Sequence, residues 1–200
     1  MRKLKLEMQI SMDGFTAGPD GDSGWMIWPW SEEWSWDDRL RSYHNDLTTS
    51  SDCILISRKM AEEGFCGHWE EMAMNIANPQ AAFATKITET RKLVVTRTLS
   101  SSTWKNAELL KGDAVLEVSR LKKAPGKDIL VYGGPTLASS LVEAGLIDEL
   151  HLLVNPTAIG RGSSMLKDLS KPARFRLENS TSYKCGIALL KYVVDAKLTS

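Results

Sequence analysis

The chain has 200 residues, 42% of them apolar, which is enough for a substantial core and most simply makes one domain over 1–200. Lys plus Arg equal Asp plus Glu at 25 each, so the basic surplus of a nucleic-acid binder is missing. No apolar run approaches the length of about 18 residues that a membrane span needs, and the cationic start Arg2-Lys3-Leu4-Lys5 is followed by Glu7, Gln9 and Asp13 rather than by an apolar signal segment.

Residues 3–10, KLKLEMQI, alternate polar and apolar, with Leu4, Leu6, Met8 and Ile10 on one side, and predict a strand. The run SMDGFTAGPDGDSG holds four glycines and a proline and predicts a long loop. It leads into GWMIWPWSEEWSW, residues 24–36, which carries five of the seven tryptophans. A helix is expected from Asp37, where Asp37 and Asp38 suit its positive end and Leu40, Tyr43 or His44, and Leu47 recur at helical spacing. DCILIS (52–57) reads as a buried parallel strand, RKMAEEGF as a turn or two of helix, and the stretch through Gly67, His68 and Trp69 as a linker.

A helix is predicted over 79–90 and a buried strand over 92–99 that ends near Thr96. Val115, Val118 and Leu121 favour a helix despite the β-branched content. DILVYGG (128–134) predicts a third buried strand, and PTLASSLVEAG a helix with Gly145 past its end. ELHLLVNP is a strand stopped by Pro156, and residues 172–181 and 186–194 form an expected antiparallel pair. Alternating strands and helices closed by two strands predict a mixed, mostly parallel sheet with helices on both faces.

VYGGPTLASS, residues 131–140, is the most informative stretch. A strand runs into Gly133 and Gly134, and a helix starts with Pro135, whose missing amide costs nothing in the first turn. The remaining amides and the Thr136 hydroxyl suit a phosphate, although a Gly-Gly turn before a helix also arises for purely geometric reasons. Two other expected strand ends carry Arg58 and Lys59, and Thr96 and Arg97. In open α/β sheets ligands gather beyond the carboxyl ends of the strands, so these groups suit a polyanionic cofactor. Their basic character favours a nicotinamide nucleotide with a 2′-phosphate.

SMDGF, ISRKMAEEGF, LVVTRTL and above all GKDILVYGGPTLASSLVEAGLIDELHLLVNPTAIGRGSSML resemble the dihydrofolate reductase-like group that includes the C-terminal reductase domain of bacterial riboflavin biosynthesis proteins. The resemblance runs from about residue 4 to 194 and is strongest over 126–166. It implies a three-layer α/β/α fold, NADPH as cofactor, and hydride transfer to a flat heterocycle or a ribosylamino-pyrimidine. The cofactor positions it implies are Arg58, Lys59, Thr96, Arg97, Gly133, Gly134, Pro135 and Thr136. Many members carry Gly before the Arg matched here to Arg58, whereas this chain has Ser57.

A reductase of this kind also needs a proton source. Asp37 and Asp38 lie where related reductases have an acid after a tryptophan and proline segment, and either also suits a helix cap. Asp13, in SMDG, binds a polar substrate or holds the loop through an Asx turn. Catalysis is accordingly assigned to Asp13 and Asp38, and substrate contact to Trp25, Trp28 and Asp37. Cys66, His68, His44 and His151 lack the paired spacing of a zinc site, so no metal is expected. The three cysteines, odd in number and irregularly spaced, suit free thiols in a reducing cytoplasm. A small heterocyclic substrate and, from the family, a homodimer are the expected partners, with no nucleic acid and no membrane. The other reading is a nucleotide- or heterocycle-binding protein on the same scaffold with little or no catalysis.

Overall fold

The computed structural model describes residues 1–194, so positions 195–200 of the expected 1–200 unit lie outside the described residues. In chain order the elements are β1 (Leu4–Ser11), β2 (Phe15–Ala17), α1 (Asp38–Thr49), β3 (Ser51–Ser57), α2 (Arg58–Glu62), α3 (Phe65–Met74), α4 (Ala81–Glu89), β4 (Arg91–Val95), β5 (Ala107–Leu110), α5 (Ala114–Lys123), β6 (Asp128–Gly133), α6 (Pro135–Glu143), β7 (Glu149–Asn155), β8 (Ser163–Ser164), β9 (Phe175–Ser182) and β10 (Ala188–Val194).

Eight strands form one sheet in the order β5-β4-β3-β6-β1-β7-β10-β9. The first six are mutually parallel, and β10 and β9 close the sheet antiparallel. This is the mixed, mostly parallel three-layer α/β/α arrangement of the dihydrofolate reductase-like fold. The nearly unbroken apolar runs ILI of β3 and ILV of β6 follow from their central places, with neighbours on both sides and helices above and below.

The two faces of the sheet bury different cores. Leu4, Leu6, Met8 and Ile10 of β1 join Leu55, Val131, Leu150 and Leu152 in packing against Val118 of α5 and Leu137, Leu141 and Val142 of α6. On the other face, Ile54, Ile56, Val94 and Leu153 meet Leu40 of α1, Phe65 and Trp69 of α3, and Phe83 and Ile87 of α4, together with Trp28, Trp34 and Trp36.

Four elements were not expected from the sequence: the helix α3, the strand β5, and the short antiparallel pair of β2, inside the predicted long loop, with β8. The presumed linker around Gly67 is the helix α3, because Phe65, Cys66, Trp69 and Met72 all reach the core from one side of it. The strand expected in 92–99 to end near Thr96 does so, stopping at Val95, where Thr96 turns the chain by accepting the amides of Thr98 and Leu99 at 3.1 Å each. The short edge strand β5 pairs with β4 from Lys92↔Ala107 to Val95↔Leu110 and was not foreseen.

Candidate functional site

Because β4, β3, β6, β1 and β7 run parallel, their carboxyl ends at Val95, Ser57, Gly133, Ser11 and Asn155 share one edge of the sheet. A cavity of about 970 Å³ opens at this edge. Glu7, Gln9 and Tyr132 from the sheet line it, with Trp28, Trp30, Trp36 and His44 as an aromatic wall. Ser57, Gly134 and Pro135 line another part, and Lys59, Arg161 and Lys167 add cations.

The tryptophan segment builds its wall without any helix or strand of its own between Ala17 and Asp38. Polar side chains from the sheet pin its backbone instead. Gln9 Nε2 donates to the Trp28 carbonyl at 3.0 Å, and Asn155 Oδ1 accepts the Ile27 amide at 2.8 Å. Farther along, Gln80 Nε2 donates to the carbonyls of Ser31 and Glu32 at 2.9 and 2.7 Å. Trp28, only 1% exposed, is the hub: its ring centroid lies 4.6 Å from Trp36, 5.4 Å from Trp34 and 5.9 Å from Trp69. Trp30 sits in the left-handed region at φ 61°, an uncommon conformation for a bulky residue, and contacts Phe65 at 5.4 Å.

Beneath this wall β1 presents Lys5, Glu7 and Gln9, the half of its alternation opposite Leu4, Leu6 and Met8. A central strand covered on both faces has no solvent side, so these polar groups must find partners inside. Lys5 Nζ reaches Asp128 at 2.8 Å and Ser50 at 2.9 Å. Glu7 Oε1 lies 2.7 Å from His44 Nδ1, both residues being buried. Thr48 Oγ1 donates to the His44 carbonyl and lies 3.0 Å from the Tyr132 hydroxyl, and burial pushes that phenol well above its ordinary pKa. Tyr132 therefore stays a neutral hydroxyl on the cavity.

The glycine turn has two constraints. Gly133 and Gly134 adopt φ 101° and 95°, which side chains resist. A Cβ on Gly134 would also sit 2.8 Å from Ser57 Oγ. Ser57, the departure from the family pattern, is thus accommodated by the missing side chain at Gly134, and its hydroxyl caps α2 by accepting the Met60 amide at 3.2 Å. Pro135 occupies the first turn of α6 as the sequence suggested. Thr136 is exposed and does not line the cavity.

The remaining residues singled out from sequence fall in different places. Lys59 lines the cavity; Arg58, beside it, is exposed and pairs with Glu62 at 2.6 Å. Arg97 flanks a second cleft of about 410 Å³ with Lys111, Gly112 and Asp113. Buried Thr96 spends its hydroxyl on the turn. Asp13 clamps the loop leaving β1 to the loop after β7, accepting the amides of Ile159 and Gly160. The Ser11 hydroxyl and those amides hold its carboxyl below the usual range. Asp37 caps α1 through the amides of Arg39 and Leu40 and also accepts the Cys185 amide at 3.2 Å. Asp38 has a side chain 99% exposed, and its partner is Arg41. Neither Asp13, Asp37 nor Asp38 lines the cavity, and Trp25, whose Nε1 donates to the Asp22 carbonyl, also lies outside its lining.

Glu7, Gln9, His44, Tyr132 and Arg161 were not singled out for the site from the sequence. The available signal was an acid and an amide inside a strand that the fold makes central. Arg161 lies in the loop after β7, where Gly162 is required because a Cβ there would collide with the Ala17 carbonyl oxygen. Burial pushes the thiols of Cys53 and Cys66 up to about 11, which keeps them protonated at neutral pH. Among the described residues no group of three or more His, Cys, Asp or Glu is arranged to hold a metal ion, and no helix is long and apolar enough to cross a membrane.

Known proteins share this fold. The Bacillus subtilis protein YyaP, described as uncharacterized, is 24% identical over 192 residues, covering 96% of this chain and 94% of its own. The riboflavin biosynthesis protein RibD of Escherichia coli is 28% identical over 201 residues, covering 85% of this chain but 53% of RibD. A solved structure described as a putative riboflavin biosynthesis protein from Shewanella sp. PV-4 superposes with a TM-score of 0.70 at 17% identity, over 96% of this chain and 99% of that one, which speaks to the fold. A family model for the RibD C-terminal domain matches residues 2–189, and the chain belongs to that family.

Proposed function

We propose that the protein is an NADPH-dependent reductase that transfers a hydride to a small planar heterocycle of the pterin or ribosylamino-pyrimidinone kind. The observation that carries this reading is the meeting, on one cavity, of the Gly134-Pro135 turn that opens α6 with a wall of Trp28, Trp30 and Trp36. The first suits the phosphates of a dinucleotide and the second a flat ring.

The residues present fit the cofactor. The free amides that begin α6 lie at the cavity edge, and the missing Gly134 side chain keeps the turn tight against Ser57. Lys59 and Arg58 engage exposed glutamates one helical turn on, weak pairs that a phosphate readily displaces. Arg97 and Lys111, around their separate cleft, would take the 2′-phosphate. When bound, NADPH supplies the hydride. The chain's own part is to stack the acceptor ring against tryptophan, exclude water behind the pinned 24–36 segment, and hold the two rings in register.

The test is calorimetric titration with NADPH, followed by loss of its absorbance on adding dihydropterin, dihydrofolate and pyrimidinone substrates. Saturable binding that Gly134→Val abolishes, and that Arg97→Ala weakens for NADPH but not NADH, supports the reading. Failure of the unmodified chain to bind NADPH sinks it. A second reading, binding without efficient turnover, is favoured by the placement of Asp13, Asp37 and Asp38 away from the cavity lining. It predicts NADPH and heterocycle binding with no loss of absorbance across the panel.

A further inference from the structure

A buried polar atom without a partner forfeits its hydrogen bonds to water, so each such atom in a folded protein asks for an explanation. Among the described residues ten side-chain nitrogen and oxygen atoms are in this state, and only two of them, Glu7 Oε2 and Trp36 Nε1, belong to residues that line the large cavity. The two are complementary in kind. A carboxylate oxygen accepts, whereas an indole nitrogen only donates. Both side chains are nine-tenths or more buried, Glu7 at 5% and Trp36 at 1% exposure.

They also share one support. His44 Nδ1 lies 2.7 Å from Glu7 Oε1, which uses one carboxylate oxygen and leaves Oε2 open. The Trp36 ring stands edge-on to the same imidazole, centroids 5.2 Å apart and planes at 89°. The His44 ring is itself held against Phe83 at 4.6 Å. The side chains that carry an unpaired acceptor and an unpaired donor are therefore both held against one buried ring in the lining of the cavity.

We propose that Glu7 and Trp36 are the specificity-determining pair of the cavity and that they read the lactam edge of a planar ring. Glu7 Oε2 accepts the ring N–H, and Trp36 Nε1 donates to the adjacent carbonyl oxygen. His44 is a positioning residue that fixes the carboxylate through Oε1. Other ligand classes satisfy the pair less well. A ring bearing only N–H donors leaves the indole without an acceptor, a ring bearing a carboxylate sets two anions face to face, and a hydrocarbon leaves both atoms unpaired. This assignment rests on the cavity being the substrate site, and it does not depend on NADPH.

The full chain is titrated calorimetrically with the quinazolinone whose N–H adjoins its carbonyl, and with its N-methyl derivative, each with and without NADPH. The parent lactam is expected to bind at least about tenfold more tightly than the methyl derivative, the usual scale of a hydrogen bond to a charged group. Glu7→Leu brings that ratio to about one by removing the acceptor, a change that simple steric exclusion of the methyl group does not produce. Trp36→Phe keeps the packing but removes the donor, so it weakens both ligands by a similar factor, about five- to tenfold, and leaves the ratio in place.

Absence of parent binding, a ratio near one in the unmodified chain, or a ratio that survives Glu7→Leu overturns the proposal. If Glu7→Leu does not fold, unchanged binding of both ligands by Trp36→Phe does the same. NADPH binding without lactam binding refutes the pair and leaves the reductase reading standing; lactam binding without NADPH binding does the reverse.

Discussion

The two faces of the sheet are built to different rules from the same strands. Toward α5 and α6, β1 offers Leu4, Leu6, Met8 and Ile10, and no aromatic residue is among the buried members of that core. Toward α1, α3 and α4 the same strand offers Lys5, Glu7 and Gln9, and each must be answered by a partner or left facing the cavity. The first face spends its burial on stability, at roughly 25 cal/mol for each Å² of apolar surface. The second gives part of that up to keep polar groups and a cavity at the carboxyl ends of the strands. Departures from simple patterning gather where a protein acts rather than where it is merely held together.

Truncating each face sharpens the contrast. Trp28→Ala removes the hub of the aromatic face and is expected to cost about 3–5 kcal/mol in denaturant unfolding, together with heterocycle binding. Leu141→Ala, at a fully buried position on the aliphatic face, is expected to cost about 2–5 kcal/mol while leaving ligand affinity of the folded fraction unchanged. Equal effects of both on ligand affinity would break the distinction between the faces.

A polar network at the start of β7, away from the cavity lining, gives a pH signature. His151 Nε2 lies 3.2 Å from Glu149 Oε2, and Lys3 reaches Oε1 at 2.6 Å. The His151 hydrogen bond, helped by Lys3 and Lys191 and opposed by desolvation, holds the Glu149 carboxyl below its ordinary value. A native pKa below the unfolded one gives stability that is present above the unfolded value of about 4.3 and is lost as pH falls through it toward the native value. Glu149→Gln should therefore cost about 1–3 kcal/mol at neutral pH and flatten the loss of stability on acidification, read from unfolding midpoints across the acid range.

How much of this was legible from sequence divides along the same line. The apolar runs ILI and ILV marked β3 and β6, and GGP with Gly145 marked both ends of α6, because each pattern has one physical solution. The helix α3 was obscured by Gly64 and Gly67, which read as breakers, although Phe65, Cys66, Trp69 and Met72 do recur at helical spacing. The edge strand β5 is four residues long and has a neighbour on one side only.

The floor of the site was hidden by the very regularity of β1. Alternation in KLKLEMQI suggests a solvent-facing polar half, and only the sheet order, with β6 and β7 on either side and helices covering both faces, buries Glu7 and half-buries Gln9. The acids that were visible, Asp13, Asp37 and Asp38, stood out because they border turns and helix starts. Those are also the places where carboxylates tie up backbone amides.

Two smaller substitutions separate these roles. Asp37→Ala should cost about 1 kcal/mol through loss of the α1 cap, seen as a lower unfolding midpoint. Asp38→Asn should change stability by less than about 0.5 kcal/mol and leave turnover unaltered, since that side chain stands in solvent. A large loss of turnover from Asp38→Asn would return it to the chemistry.

Amide hydrogen exchange with and without NADPH tests most directly whether the carboxyl edge is the working edge. The account predicts slowed exchange over 57–63, 96–98 and 133–138, and over 16–30 once a heterocycle is added. Protection confined to the opposite edge, over 1–5, 123–128 and 146–149, would contradict it.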